Sequence, residues 1–404
     1  MADAGATDLE AFRGEARAWI AANFPPSLKG GTSLLLRDDG RKATPEQDAW
    51  RKAVGEKGWG APSWPKAYGG GGLSREEAGV LQQELNRVGA YNPIISLGTV
   101  MFGPTLLEYG TEAQKLEHIP PIVRGEVLWC QGFSEPGAGS DLASLQMKAE
   151  DKGDHFVLNG QKIWTSGAQF ADWCFCLIRT DTSKKQDGIS FVLLPIHQPG
   201  VEVRPIPLIS GASLFCEMFF TDAIAQKKDL VGPLNGGWAV GKRLLQHERS
   251  GLSGGGTSTL FGTATPLDVL AKTYVGTDEQ GRIADADLRS RIMAYAIDMR
   301  AYQQTATRAM LEAKSNAGPS AAISIMKNAG ARLTKRRADL AIEILGSQGL
   351  GWEGAEYTDD EIIAIRGWLF GRASTIFGGT DEVQDNIIAK RILGLPDPAK
   401  GVGP

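Results

Sequence analysis

The stretch Asp154-His155-Phe156-Val157-Leu158-Asn159-Gly160-Gln161-Lys162-Ile163-Trp164 decides how the chain is divided. On both sides of Asn159-Gly160 the residues alternate with the two-residue period of a strand that buries one face. Asn-Gly is the dipeptide that tight two-residue turns favour, because both positions accept left-handed backbone. The pattern predicts a β-hairpin centred on Asn159-Gly160. Further strand patterns follow at Trp173–Arg179, Ile189–Leu194, Val201–Pro205 and Phe215–Phe220, separated by turn signals such as Gln186-Asp187-Gly188 and Gln198-Pro199-Gly200. A β domain is therefore expected over residues 127–235.

Helical periodicity holds on either side. In residues 1–126, Leu9, Phe12, Ala16 and Trp19 recur near helical spacing until Pro25-Pro26, and a second helix is expected from Pro45 to Lys57. Ser74 is placed to cap a helix running through Val88, and helical patterns continue over 97–107 and 112–123. In residues 236–404, amphipathic patterns cover 238–251, 286–314, 321–345, 359–372 and 381–393, the make-up of a four-helix-type bundle. The expected fold class is α+β: an N-terminal helical domain, a middle β-barrel-like domain and a C-terminal helical bundle.

The chain has 404 residues, ample for a buried site, and its 43 basic and 47 acidic side chains leave a net charge of −4. That balance disfavours nucleic acid or an anionic membrane as a partner. Cys130, Cys174, Cys176 and Cys216 lack CxxC spacing, and with His118, His155, His197 and His247 they show no metal-ligand pattern. Reduced thiols in a cytoplasmic protein are expected, since residues 1–10 are acidic and no apolar run reaches membrane length.

Two glycine-bearing stretches stand out. In Phe133-Ser134-Glu135-Pro136-Gly137-Ala138-Gly139-Ser140-Asp141, Gly137 and Gly139 keep side chains away from a bound group, while Ser134, Ser140 and the loop N–H groups offer hydrogen bonds to it. The segment does not run from a parallel strand into a helix, which disfavours a doubly wound dinucleotide fold. In Arg372-Ala373-Ser374-Thr375-Ile376-Phe377-Gly378-Gly379-Thr380-Asp381-Glu382-Val383-Gln384, the glycine pair leads into Thr380 as a helix cap, with Asp381 and Glu382 in a first turn that favours negative charge.

The first of these stretches, followed by Leu158-Asn159-Gly160-Gln161-Lys162-Ile163-Trp164-Thr165-Ser166-Gly167 and later by Phe377-Gly378-Gly379-Thr380, resembles the flavin-contacting segments of acyl-CoA dehydrogenases in order and spacing. The resemblance spans essentially the whole chain. It implies FAD as cofactor, with Gln131, Phe133, Ser134, Gly139, Ser140, Trp164, Thr165, Ser166, Thr380 and Glu382 as cofactor contacts. It also implies α,β-desaturation of an acyl-CoA thioester, in which a carboxylate removes the α-proton and the β-hydrogen leaves as hydride.

Many members of the family carry that carboxylate in the closing loop, where this chain has Gly378. A second branch, including isovaleryl- and long-chain-type enzymes, carries it on the first helix of the C-terminal domain, and the matching residue here is Glu248. Leu244, Leu245 and Leu252 fall at i−4, i−3 and i+4 from it, so Glu248 projects from an apolar stripe. Arg249 and Ser140 are the expected substrate contacts, and the Gly378 N–H is the expected donor to the thioester carbonyl.

Two departures mark this chain. Residues 275–291 lack the Arg-x-x-Phe-Gly segment with which many relatives receive a neighbouring subunit's flavin pyrophosphate, and Glu343 stands where a Gln is usual. Together with the extended residues 27–44, and with Gly254-Gly255-Gly256 as a source of pocket width, these features resemble subunits that act on bulky acyl-CoAs, some of them heterotetrameric. Three readings compete: a dehydrogenase that passes electrons to an electron-transferring flavoprotein, an oxidase or nitroalkane-oxidase-like enzyme, and a non-catalytic subunit of a heteromer. The first needs no further departure from the residues above.

Overall fold

The N-terminal helices are α1 (Ala2–Asn23), α2 (Pro45–Glu56), α3 (Arg75–Val88), α4 (Gly103–Tyr109) and α5 (Glu112–Val123), three of them started by side-chain caps. Thr44, Ser74 and Thr111 each close a capping box with the residue three positions on. These boxes satisfy two of the four N–H groups that a helix start leaves unpaired. The computed structural model describes residues 2–31, 43–251, 265–315 and 322–396, with side chains at all of them except 2–7, 248–251, 310, 313–315 and 322–324.

Seven strands follow: β1 (Trp129–Gly132), β2 (Lys148–Asp151), β3 (His155–Ser166), β4 (Trp173–Arg179), β5 (Ile189–Pro195), β6 (Val201–Ile206) and β7 (Phe215–Gln226). They make one sheet in the order β1-β4-β2-β3-β7-β6, with β5 on the other edge of β4. This curled sheet is the expected barrel-like middle domain. β4 and β5 are buried at all but one end position each, and apolar apart from Arg179 and Ser190, because both of their faces are covered. Phe175, Leu177, Phe191 and Leu193 join the core shared with α4 and α5, while Cys174, Cys176, Val192 and Leu194 join a second core on the opposite face.

The predicted hairpin does not form. β3 runs unbroken through Asn159-Gly160, and the pairing shifts register there because β7 carries an extra residue opposite Asn159. Asn159 is satisfied across the strands, donating to Asp222 Oδ1 and accepting from the Asp222 N–H, both at 3.0 Å. Gly160, at φ 153°, lies where a Cβ would come within 3.0 Å of Met147. The glycine serves a close approach to β2 rather than a turn.

The later helices are α6 (Gly237–Gly251), α7 (Leu267–Tyr274), α8 (Ala286–Ser315), α9 (Ala322–Leu345), α10 (Asp359–Gly371) and α11 (Asp381–Ile387). β2 and α7 were not legible in the sequence, being four and eight residues long. The chain separates into two compact units: Met1–Pro207 with Ser213–Glu248, and Leu208–Ala212 with Arg249–Pro404. Within the second, Leu267, Ala271, Leu288, Ile292, Leu340 and Ile344 bind α7, α8 and α9 into one core. Among the described residues no helix is long and apolar enough to cross a membrane.

Candidate functional site

The segment that leaves β1 enters the core before it turns out. Phe133 is 3% exposed and meets Phe175 and Phe191 edge-on, with centroids 6.1 and 6.0 Å apart. Its side chain is therefore a packing group, and only its main chain is left to offer a ligand. Glu135 and Ala138 then exchange N–H···O bonds of 3.1 and 3.0 Å, closing a tight turn with Pro136 and Gly137 at its exposed tip.

Glu135 points inward from this turn. Its carboxylate accepts from the N–H groups of Gln146 and Met147 and from Lys162 Nζ at 2.8 Å. Lys162 is wholly buried on β3 and also donates to the Phe133 carbonyl at 3.2 Å. A buried pair persists only when its remaining hydrogen-bonding capacity is met, as it is here. Next to it, Ile163 N–H donates to the Ser134 carbonyl at 2.9 Å. The Glu and the Lys of the two sequence stretches are thus each other's partners, which the sequence did not reveal. Arg179, 7% exposed, pins the following loop by donating to the carbonyls of Ala143 and Leu145.

Beyond Lys162 the strand bulges, and its register with β7 resumes only at Thr165. Trp164 sits inside this bulge at φ 61° with its side chain 55% exposed. A left-handed tryptophan costs on the order of 1–2 kcal/mol, and such strain collects where a side chain must be aimed at something. Thr165 turns the other way. It is completely buried, and its hydroxyl has no partner among the described residues. Ser166 is half-buried, so the bulge presents Trp164 and Ser166 toward the surface.

The two glycines of the turn have no internal explanation. Neither Gly137 nor Gly139 has left-handed backbone, and a Cβ on either would meet nothing within 4 Å. By contrast, a Cβ on nearby Gly132 would lie 2.8 Å from Cys174 Sγ and 2.9 Å from Cys176 Sγ. A cleft of 390 Å³ opens beside the turn, lined in part by Glu135, Pro136, Gly137, Gln146, Gly160 and Gln161. Gln131 is half-buried on β1, and Gly139 and Ser140 are exposed. The four cysteines are free and buried, and burial pushes the Cys174 and Cys176 thiols well up, so they are no nucleophiles.

In the second unit, Gly378 and Gly379 have φ of 67° and 90°, both left-handed. Thr380 caps α11 as predicted, its hydroxyl accepting from the Val383 N–H at 3.2 Å. Asp381 pairs with Lys327 at 3.0 Å. Glu382 is exposed in the first turn, and N–H bonding there, its own backbone first, holds its carboxyl below the ordinary range. Glu343 is engaged within the unit as a two-point partner of Arg291, whose second nitrogen donates at 2.7 Å. That pairing accounts for a carboxylate at this position. Residues 277–283 form a tight turn, where the Asp278 carboxylate accepts from the N–H groups of Gln280 and Arg282.

The backbone of α6 carries Glu248 and Arg249, but their side chains lie outside the described residues, as do Leu252 and Gly254-Gly255-Gly256. The helix is anchored one turn earlier, where Arg243 donates twice to Glu108, each bond 2.7 Å.

Family models match three consecutive parts of the chain: acyl-CoA dehydrogenase N-terminal domain over residues 7–126, middle domain over 130–223 and C-terminal domain over 235–393. The chain is 37% identical over 401 residues to acyl-CoA dehydrogenase IpdE1 of Mycobacterium tuberculosis, spanning 98% of this chain and all of that protein. Among solved structures it is similar to the Tcur3481-Tcur3483 steroid ACAD, with a TM-score of 0.77 and 30% identity over 96% of this chain and 98% of the other. It is also similar to a chain of the ChsE4-ChsE5 complex from Mycobacterium tuberculosis, with a TM-score of 0.74 and 28% identity over the same shares.

Proposed function

Because this chain belongs to the acyl-CoA dehydrogenase family of flavoprotein oxidoreductases, we propose that it binds FAD and α,β-dehydrogenates a bulky acyl-CoA of steroid-side-chain type in the cytoplasm. The observation that carries the cofactor assignment is the exposed, left-handed Trp164 beside Gly137 and Gly139, two glycines that no contact among the described residues requires. A planar ring system against Trp164 and a phosphate-bearing chain along an unobstructed turn fit these residues. Bound FAD would supply the hydride-accepting group.

The chain's own residues do the rest. Gln131, Phe133, Ser134, Gly139, Ser140, Trp164, Thr165, Ser166, Thr380 and Glu382 hold and orient the cofactor. Glu248 takes the α-proton, Arg249 and Ser140 meet the CoA moiety, and the Gly378 N–H donates to the thioester oxygen as charge develops there. The three-domain division at residues 1–126, 127–235 and 236–404 belongs to the same reading. The missing side chain at Gly378, and the similarity to a protein named a steroid ACAD, favour a bulky acyl group. The similarity to chains solved as named pairs favours a heteromeric assembly, with an electron-transferring flavoprotein as acceptor.

The test is anaerobic titration of the purified yellow protein with short, branched, aromatic and steroid acyl-CoAs. The flavin absorbance is expected to bleach with the bulkiest members. Glu248→Gln is expected to slow bleaching by on the order of 10²–10⁴-fold. No bleaching with any thioester would favour a non-catalytic subunit, rapid oxygen consumption on turnover would favour an oxidase, and bleaching of the Glu248→Gln protein at the parent rate would move the base elsewhere.

A further inference from the structure

Away from the cradle, α5 and the turn after β7 bring the adjacent pair Glu117-His118 together with the sequence-distant Asp229. The ligand atoms of Glu117, His118 and Asp229 all lie within 4.8 Å of one another. Two of these side chains are almost entirely buried, His118 at 4% and Asp229 at 3% exposure. Their facing atoms, Nε2 and Oδ1, are 3.8 Å apart, and neither has a hydrogen-bond partner. A buried imidazole nitrogen left unbonded costs on the order of 1–3 kcal/mol, and Asp229 Oδ1 has only an ion pair with Lys228 at 3.4 Å, so a shared third atom would satisfy both.

The surroundings hold both groups in place. Gln114, one helical turn before His118, donates to the carbonyls of Lys228 and Leu230 at 2.8 and 2.9 Å, fixing the turn that carries Asp229. The imidazole lies edge-on to Trp129 and Trp173, with centroids 5.3 and 5.0 Å away. Lys228 Nζ lies 2.8 and 3.0 Å from the two Glu117 oxygens and 3.4 Å from Asp229 Oδ1. Its side chain is 60% exposed and can swing into solvent. One ammonium therefore bridges two carboxylates without reaching the buried nitrogen.

We propose that Glu117, His118 and Asp229 form a site for a divalent transition metal of the zinc class, with the Lys228 ammonium as the counter-ion that the metal displaces. One imidazole and two carboxylates, with water in the remaining position, suit such an ion. Its role is structural: it staples α5 to the turn leading into α6, satisfies both buried atoms and stabilises the fold in proportion to its binding.

The untagged full chain is to be stripped with chelator and titrated with Co²⁺ as a spectroscopic probe for zinc. A visible d–d band saturating at about one ion per chain is expected, with a melting temperature that rises with metal concentration. Glu117→Gln, at a half-exposed position, is expected to weaken binding by at least about tenfold, and Asp229→Asn to abolish the band. Lys228→Ala is expected to tighten binding on the order of tenfold, because it frees both carboxylates. A merely structural cluster would not show that gain. No band in either the parent or Lys228→Ala, or a band that survives Asp229→Asn and Glu117→Gln, overturns the proposal.

Discussion

Gly137 and Gly139 differ from Gly378 and Gly379 in what requires them. The later pair is required by the chain itself: both residues are left-handed, and a Cβ on Gly379 would lie 2.8 Å from Gln384 Nε2. The earlier pair has ordinary backbone and open space in front of it. A glycine of the first kind reports on folding, and one of the second kind reports on something outside the polypeptide. The protein makes the earlier pair rigid by other means, through the buried Glu135–Lys162 contact behind the turn.

That contact gives the largest expected effect. Glu135→Ala leaves the Lys162 ammonium buried without its carboxylate, and destabilisation of about 3–5 kcal/mol is expected in urea unfolding of the cofactor-free protein. If unfolding is unchanged, the turn is held by something other than this pair and the contrast with the later loop fails. A second buried acid sharpens the point. Glu84, 2% exposed, is held at about 2 by Arg17, then Arg13 and Arg87. A depressed carboxylate contributes stability above its ordinary value of 4.5 and loses it as pH falls toward about 2. About 2 kcal/mol should disappear over that window, allowing for the exposed arginines, and Glu84→Gln should flatten this acid limb of the stability profile. Next in size is Gly379→Ala, expected to destabilise the cofactor-free protein by about 1–2 kcal/mol in the same measurement.

Much of the fold was legible because helix starts and strand runs are local chemistry. Thr380 caps α11 and Ser74 caps α3, and β4 has its predicted ends at Trp173 and Arg179. The hairpin failed because Asn-Gly fits a strand opposite a bulge as well as a turn, and only the cross-strand partner Asp222 separates the two. β7 runs on to Gln226, beyond the apolar stretch, because β3 supplies its pairing partners. At the candidate site, the sequence marks which segments matter but not which way each side chain turns. Thr165 and Phe133 face the core, Trp164 is strained outward, and Glu135 meets Lys162, all through long-range contacts that spacing does not encode. The Glu117–His118–Asp229 group is of the same kind, since Asp229 meets the adjacent Glu117 and His118 only through the packing of α5 on the turn after β7.

The direct test of the central claim, that a cofactor occupies the space in front of the turn, is the double substitution Gly137→Ala/Gly139→Ala, read by unfolding of the cofactor-free protein and by FAD titration. Two added methyl groups with no clash and compatible backbone should leave the cofactor-free protein as stable as the parent or up to about 1 kcal/mol more stable. The same methyl groups would intrude on a close-packed ligand, so FAD affinity should fall by at least about tenfold. Unchanged FAD affinity in the double variant would contradict the assignment of this turn as the cofactor cradle.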